Sequence, residues 1–297
     1  MSGPLFIQQG SSPDWWLSPA IWVTTVTNTT TKVTNPIAGE KYTVWVQVQN
    51  KYPDPVDSGW NLFVCWTIPT AGDLKVSSIT SGQILNGFLS SAGPQGSAIG
   101  VPIPGGSTVN LQAATTWTPS YENHGHECLI AMAYAEQAIG GLPVTVLQGN
   151  APWTDVYTIA QHNLAVLPAV HKMGKRFQYP FLVCNAAHQE HGYVITARQA
   201  PLSEIAEFLP GIRGGRRVID HPGKVEHLGI VPSRHPDPTT LQAARATLSS
   251  HRIPGDSCQE FTLGGSLSEG NALIHVTQSL DGRVAGGLSV LVMSEEA

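Results

Sequence analysis

The sequence predicts an all-β protein made of two β-sandwich domains, and three observations support that prediction. Apolar and polar residues alternate with a period of two in several segments of the 297-residue chain, as they do in half-buried strands. Clusters of glycine, proline, asparagine and serine separate these segments in the way that turns do. No convincing amphipathic helix precedes residue 200, so the strands connect directly and favour sandwiches over a parallel sheet.

The first half contains five segments of strand character. Residues 41–50 alternate strictly, so that Tyr42, Val44, Val46 and Val48 share one face. A turn rich in proline and aspartate follows, and then an apolar run that is typical of a strand covered on both faces. The strand segments that follow 41–50 are 60–69, 107–119, 126–135 and 153–167, with long loops around short strands expected within 68–106.

The second half predicts another β-rich sandwich that includes one or two short helices. Strands are expected at 177–187 and 191–199, and the Asp281–Gly282 pair predicts a hairpin near the end of the chain. Residues 201–211 have the character of a short helix that Ser203 would cap. Residues 238–250 leave helix and strand both open, and residues 219–238 resemble a long surface loop.

These elements divide the chain into a first domain at residues 1–167 and a second at 168–297. The junction has no flexible run, so we expect rigid packing and not a loose tether. The halves share a predicted sandwich plan, but the sequence shows no self-similarity that can be aligned.

Composition excludes several classes of function. Charged residues make up 12% of the chain, against about 25% in an average soluble protein, and the net charge is −5. The short run of Arg213, Arg216 and Arg217 is expected to be a solvated loop, so nucleic acid is not a predicted partner. No apolar stretch approaches the roughly 20 residues of a membrane span. A weakly charged surface suits a subunit that packs against copies of itself, or an extracellular protein.

Four cysteines, Cys65, Cys128, Cys184 and Cys258, lie far apart in sequence. No secretory signal peptide is visible, so buried thiols are the default expectation. In an oxidising compartment, Cys65 and Cys128 would be the first candidate pair, because both lie in apolar strands of the same predicted domain. The predicted location is extracellular or on the cell surface, with the cytoplasm as the alternative.

Residues 36–135 resemble a known family in the order of their motifs. The segment "YTVWVQVQNKYPDPVDSGWNLFVCWTIP" is followed by "VPIPGGSTVNLQAATTWTP" and then by "HECLIAMAYA". This order is similar to that of the cell-adhesion-related domain of bacteria, CARDB. The resemblance implies an immunoglobulin-like sandwich with a role in adhesion or scaffolding, and it implies no catalytic residue. The second half resembles no family that we can name.

Tryptophan is concentrated near the start of the chain. Trp15, Trp16 and Trp22 fall within "SPDWWLSPAIWV", where Ile21 and Val23 would face one side of a strand and Trp22 the other. Such side chains either anchor a core or present an aromatic face to a sugar or a partner subunit. The candidate interaction residues are Trp15, Trp16, Trp22, Trp45 and Trp60.

The segment "YENHGHEC" has the densest group of potentially reactive or metal-binding side chains in the sequence. His124 and His126 are spaced so that both can share one face of a strand and bind Zn²⁺. A catalytic zinc site needs a third ligand and an open position, and the alternative is a polar loop before a strand. No nucleophile elbow, phosphate-binding loop or HExxH motif is present.

The sequence therefore favours a structural or adhesive protein that is not an enzyme and needs no cofactor. It would assemble with copies of itself or with partner proteins in a filament, an appendage or a virion-like particle. One alternative is a carbohydrate-binding module that stacks sugars on exposed tryptophans such as Trp15, Trp45 or Trp60. The other is a metal-dependent hydrolase centred on His124 and His126.

Overall fold

The computed structural model of the chain is an all-β protein, as predicted, with two compact units. Unit 1 contains the described residues up to His162, and unit 2 contains those from Leu164 onward. The structure describes residues 4–10, 15–34, 36–56, 60–67, 85–88, 102–113, 115–119, 128–135, 156–162, 164–167, 176–185, 188–206, 208–209, 215–232, 244–267 and 269–294.

Unit 1 is a sandwich of two antiparallel sheets. The first sheet has β4 at its centre, with β1 and then β2 along one edge, β7 on the other edge, and β3 beyond β2. The second sheet has the order β6-β5-β8-β9. The strands are β1 (Leu5–Phe6), β2 (Ile21–Thr25), β3 (Lys32–Val33), β4 (Tyr42–Asn50), β5 (Trp60–Thr67), β6 (Leu85–Phe88), β7 (Thr108–Gln112), β8 (Cys128–Ala135) and β9 (Val156–His162).

The two sheets pack through strand residues that are buried with a period of two. The predicted inward set of β4, which is Tyr42, Val44, Val46 and Val48, is almost entirely buried. It packs in one apolar cluster with residues from the facing sheet, among them Leu62, Val64, Leu129 and Ala131. The prediction for β2 is also confirmed, because Ile21 and Val23 lie in this cluster while Trp22 points to the other face.

Unit 2 is a second sandwich, with a five-stranded sheet of order β10-β17-β16-β12-β14 and a three-stranded sheet of order β11-β15-β13. Phe181 and Phe261 from the smaller sheet pack with Ile195, Ile274 and Val290 from the larger one. The strands are β10 (Leu164–Leu167), β11 (Arg176–Asn185), β12 (His191–Ala200), β13 (Val225–Val231), β14 (Thr247–Ile253), β15 (Ser257–Leu267), β16 (Ala272–Leu280) and β17 (Arg283–Val292).

The segment predicted as one strand at 153–167 forms two strands in different units. β9 pairs antiparallel with β8, whereas β10 pairs parallel with β17. The apolar pattern runs on from one strand to the next, so it gives no sign of the change of partner. The surface loop expected at 219–238 is also wrong in part, because it contains β13, which pairs with β15.

Helical structure is sparse among the described residues. A 3₁₀ helix occupies Leu202–Ile205, with Pro201 at its N-cap and no side-chain capping bond, so the predicted Ser203 cap is wrong. A short helix, α1 (Gly215–Asp220), replaces part of the expected arginine loop. The hairpin is confirmed, since Asp281 and Gly282 join β16 to β17 and both have positive φ, as a type I′ turn requires.

Each of the two units contains a corner that is built on a buried asparagine. In unit 1, the Asn50 amide nitrogen donates to the backbone carbonyls of Asp54 and Ile103 at 2.8 and 3.0 Å. In unit 2, the Asn185 amide donates to Gln189 and Ile253 at the same two distances. Each asparagine ends a strand, and its first acceptor lies four residues later. The same hydrogen bonds therefore organise an equivalent loop in each sandwich.

The acceptors Ile103 and Ile253 begin equivalent turns, "IPGGS" and "IPGDS". In each turn the serine hydroxyl donates to the proline carbonyl, at 2.7 Å for Ser107 and 2.8 Å for Ser257. The residue before each serine has positive φ, 69° at Gly106 and 52° at Asp256. The sandwich plan is thus repeated with shared residues, although the sequence alone shows no alignable self-similarity.

The cysteines follow the default expectation of buried thiols at Cys65 and Cys128 but not at Cys184 and Cys258. Cys184 and Cys258 are directly opposite each other on β11 and β15, their Cα atoms are 4.0 Å apart, and they form a disulfide. Cys65 and Cys128 are buried thiols. Cys65 lies opposite Ile130 and Cys128 opposite Thr67, so the two cysteines are diagonal neighbours, which are usually too far apart for a disulfide. Burial raises the pKa of the Cys65 thiol, which keeps it in its unreactive form.

The asparagine corner predicts a specific loss of stability. Asn50→Ala should lower the free energy of unfolding by about 1–3 kcal/mol, because the buried side chain loses its hydrogen bonds to the Asp54 and Ile103 carbonyls. All eight tryptophans precede residue 154, so urea unfolding followed by tryptophan fluorescence reports on unit 1. The matched control is Asn110→Ala, which removes an exposed amide from the same sheet and should cost no more than about 0.5 kcal/mol. Equal effects of the two variants would contradict the role of the corner.

The disulfide predicts that the two units respond differently to its removal. The double variant Cys184→Ser, Cys258→Ser should destabilise unit 2 by roughly 2–4 kcal/mol, because the bond closes a loop between residues 74 positions apart. Circular dichroism would follow the loss of strand structure, and tryptophan fluorescence would follow unit 1. The fluorescence transition should stay in place while the dichroism transition moves to lower urea. A shift of both, or of neither, would be inconsistent with this prediction.

Candidate functional site

The structure separates the predicted interaction tryptophans into two groups. Trp16 and Trp60 are 0% and 1% exposed, so neither presents an aromatic face to solvent, and Trp60 belongs to the core of unit 1. Trp15, Trp22 and Trp45 are half-buried. Trp15 contacts Trp16 edge-on at a centroid distance of 6.2 Å. The "SPDWWLSPAIWV" segment therefore supplies both a buried anchor and partly exposed indoles.

Trp22 and Trp45 lie together on the outward face of the β4-centred sheet. They are directly opposite each other on β2 and β4, and Gln112 on β7 continues the same row across the sheet. Gln47 and Asn110 form the next row. We call this surface the Trp22–Trp45 face and define it as Trp22, Trp45, Lys32, Gln47, Asn110 and Gln112.

The two indole rings of this face have a defined geometry. Their planes are within 6° of parallel, and their centroids are 6.4 Å apart. The Trp45 ring nitrogen donates to the hydroxyl of buried Thr24 at 3.1 Å, which fixes the orientation of that ring. The Lys32 ammonium lies 4.3 Å from the centroid of Trp22, where the negative face of the ring attracts it.

Polar groups of the Trp22–Trp45 face are mostly neutral. The Gln47 amide nitrogen donates to the Asn110 amide oxygen at 3.1 Å. Asn110 and Gln112 are exposed. None of the strands β1, β2, β3, β4 and β7 contains an acidic residue, and Lys32 is their one charged side chain. The surface thus combines aromatic faces, amides and positive charge.

The residue pattern of the sequence predicts only part of this surface. The alternation in residues 41–50 puts Trp45 and Gln47 on one side, and Trp22 was a candidate interaction residue. Lys32, Asn110 and Gln112 were not predicted, because their place beside Trp45 depends on strand pairing and register. The alternating pattern in residues 107–112 predicts a strand, but it does not indicate which strand pairs with it.

The predicted metal ligands His124 and His126 lie outside the described residues. Within the part of the chain that the structure describes, no three histidine, cysteine, aspartate or glutamate side chains are grouped so that they could hold a metal ion. The same part of the chain contains no helix with the length and apolar character of a membrane span.

A serine, a histidine and a glutamate come together in unit 2. His275 Nδ1 is 2.7 Å from Ser289 Oγ, and His275 Nε2 is 2.7 Å from Glu204 Oε2. These are the residue types of a nucleophilic triad, whose serine must be open to substrate. His275 and Ser289 are both 0% exposed. The group therefore holds the 3₁₀ helix against β16 and β17, and a substrate carbonyl does not reach the serine.

His162 is a second histidine with a structural role. It ends β9, and its Nδ1 is 3.1 Å from the backbone oxygen of Ser18. Burial lowers the pKa of His162 to about 4, against the raising effect of the Ser18 carbonyl, and the positive charge of Lys32 lowers it further. The ring is thus neutral at physiological pH, and its hydrogen bond with Ser18 stabilises unit 1.

No family model matches the chain, so the CARDB resemblance stays a prediction, and no curated protein matches it either. Among solved structures, it is similar to the red sea bream transglutaminase, with 11% identity and a TM-score of 0.23. That match covers 93% of this chain, but this chain spans only 31% of the transglutaminase.

Two streptococcal proteins are also similar over nearly their whole solved chains. One is the C-terminal domain of the Streptococcus pyogenes antigen I/II-family protein AspA, with 6% identity, 93% and 98% coverage of the two chains and a TM-score of 0.23. The other is the serine-rich repeat adhesion glycoprotein Srr1 of Streptococcus agalactiae, with 11% identity, 92% and 94% coverage and a TM-score of 0.23. At these scores the similarities carry no argument about fold or function.

The lowered pKa of His162 predicts acid sensitivity of unit 1. An unfolded chain takes up a proton near pH 6.5, whereas the folded chain resists it until about pH 4. The stabilisation is therefore complete above pH 6.5 and is lost as pH falls towards 4, by an amount on the order of 2 kcal/mol. Urea unfolding by tryptophan fluorescence at pH 7 and pH 4.5 would measure this loss.

The variant His162→Gln keeps a hydrogen-bond donor near Ser18 but does not titrate. It should therefore flatten the pH dependence of unit 1. His221→Gln, which replaces an exposed histidine of unit 2, is the control and should leave the pH dependence unchanged. An unaltered pH profile in His162→Gln would show that other groups cause the acid sensitivity.

Proposed function

We propose that this chain is a structural or adhesive protein, not an enzyme, and that it acts through the outward surfaces of its two sandwiches. We further propose that it assembles with copies of itself or with partner proteins, as a subunit of a filament, an appendage or a virion-like particle. Each sandwich would serve as one domain, with the division between His162 and Leu164 and not at residue 167.

The main support is how the buried polar side chains are used. Asn50, Asn185, His275 and Gln278 all lie in buried positions, and each has a hydrogen bond to the protein's own backbone or side chains. These bonds hold loops, strands and a helix in place. These four side chains are thus engaged in stabilising the sandwiches, which supports a working role for the surface.

Charge and disulfide chemistry support the same proposal. A surface with few charged residues repels neighbouring subunits weakly, so it suits close packing. The Cys184–Cys258 disulfide favours an oxidising environment, which supports a location outside the cell or on its surface.

The assembly part of the proposal can be tested by sedimentation. At micromolar concentration, the full chain should form species heavier than its 31.7 kDa monomer mass, because its surfaces are proposed to pack against one another. Dilution followed by a second run separates reversible assembly from aggregation. A stable monomer over the whole concentration range would count against self-assembly and would leave only assembly with partner proteins.

A further inference from the structure

We propose that the Trp22–Trp45 face binds an extended polysaccharide that carries carboxylate or sulfate groups. This inference deepens the adhesive role proposed above, rests on that role, and names the class of ligand. It depends on three properties of the face, which are its fixed aromatic rings, its neutral amides and its positive charge.

The aromatic rings provide the stacking surface. The C–H groups on one face of a pyranose ring are weakly positive and are attracted to the negative face of an indole. Trp45 is held by its bond to Thr24, and Trp22 lies nearly parallel to it on the neighbouring strand. Rings that are already oriented lose little conformational entropy on binding, so more of the contact energy becomes affinity.

The amides match the hydroxyl groups of a sugar. A primary amide both donates and accepts hydrogen bonds, as a sugar hydroxyl does. Gln112 lies in the same row as the two tryptophans, and the Gln47–Asn110 pair forms the adjacent row. The polar groups therefore flank the aromatic surface along the direction in which an extended chain would lie.

The charge of the face selects an anionic ligand. The chain as a whole has a net charge of −5, yet the five strands of this sheet contain a lysine and no acidic residue. A second lysine, Lys51, follows β4 and lies 3.1 Å from the centroid of Phe6 on the same side of the sheet. A carboxylate or sulfate on a bound sugar would find positive charge at both ends of the face and no opposing carboxylate on these strands.

The repeated asparagine corner does not require these residues. When Asn50 is aligned with Asn185, Trp45 corresponds to Pro180, and Gln47 corresponds to Leu182. Asn110 corresponds to Glu260, which lies opposite Leu182 on β15. The pairing of β11 with β15 therefore forms the same corner without indoles or amides at these positions, although β11 is an edge strand and β4 is not. Their presence in unit 1 supports a role in binding a ligand.

The decisive experiment measures binding of the full chain to immobilised hyaluronan and heparin, with cellohexaose as the neutral probe. The wild-type chain should bind at least one anionic probe more tightly than it binds cellohexaose. Gln112→Glu should weaken that binding by roughly tenfold, because it adds a carboxylate to the face at an exposed position that the core does not use. Gln189→Glu is the matched control in unit 2 and should bind like the wild type.

Two further variants separate stacking from charge. Trp45→Ala should weaken binding to the anionic probe by about tenfold or more, with the fold checked by circular dichroism. Lys32→Gln should weaken it less, and should reduce its dependence on salt. Absence of binding to both anionic probes would overturn the inference. Tighter or equal binding of cellohexaose, or equal binding by Gln112→Glu and the wild type, would also overturn it.

Failure of this inference is distinguishable from failure of the proposed function. A chain that assembles in the centrifuge but binds no polysaccharide would keep its structural role and lose the proposed ligand. A monomeric chain that binds hyaluronan through the Trp22–Trp45 face would keep the adhesive role and lose self-assembly.

Discussion

Both sandwiches depend on a buried asparagine amide at the point where a strand ends and its loop begins. A side-chain amide that is out of reach of water needs hydrogen-bond partners from the protein. Asn50 and Asn185 each donate to two carbonyls, one in the following loop and one in a distant turn. Two parts of the chain that are far apart in sequence are thereby joined at the end of β4 and of β11.

The sequence predicts strands well where one face of a sheet is buried. The alternation in residues 41–50 and the Asp281–Gly282 turn are local signals, and the structure confirms both. β15 was not predicted at all, because Gly265 interrupts its inward residues and its period-two pattern is weak. The disulfide was missed for a related reason. Which cysteines lie opposite each other depends on the pairing of β11 with β15, and no local pattern encodes that pairing.

The surface of unit 1 was harder to predict than its core. A half-buried strand has an alternating pattern of apolar and polar residues, whereas a binding face is assembled from residues on several strands. Trp45 and Gln47 belong to one alternating segment, but Lys32 and Gln112 lie far from them along the chain. The two units share the residues of the asparagine corner, whereas Trp45 on the outward face of unit 1 corresponds to Pro180 in unit 2.

The disulfide also has a mechanical consequence for a chain that is pulled from its two ends. Tension along the backbone passes through the bond between Cys184 and Cys258, so the segment between them is shielded from the load. That segment has a contour length of roughly 250 Å when fully extended. A pulled molecule would therefore retain more than half of unit 2 as a closed loop, and its extended length would be about a quarter shorter than its residue number implies.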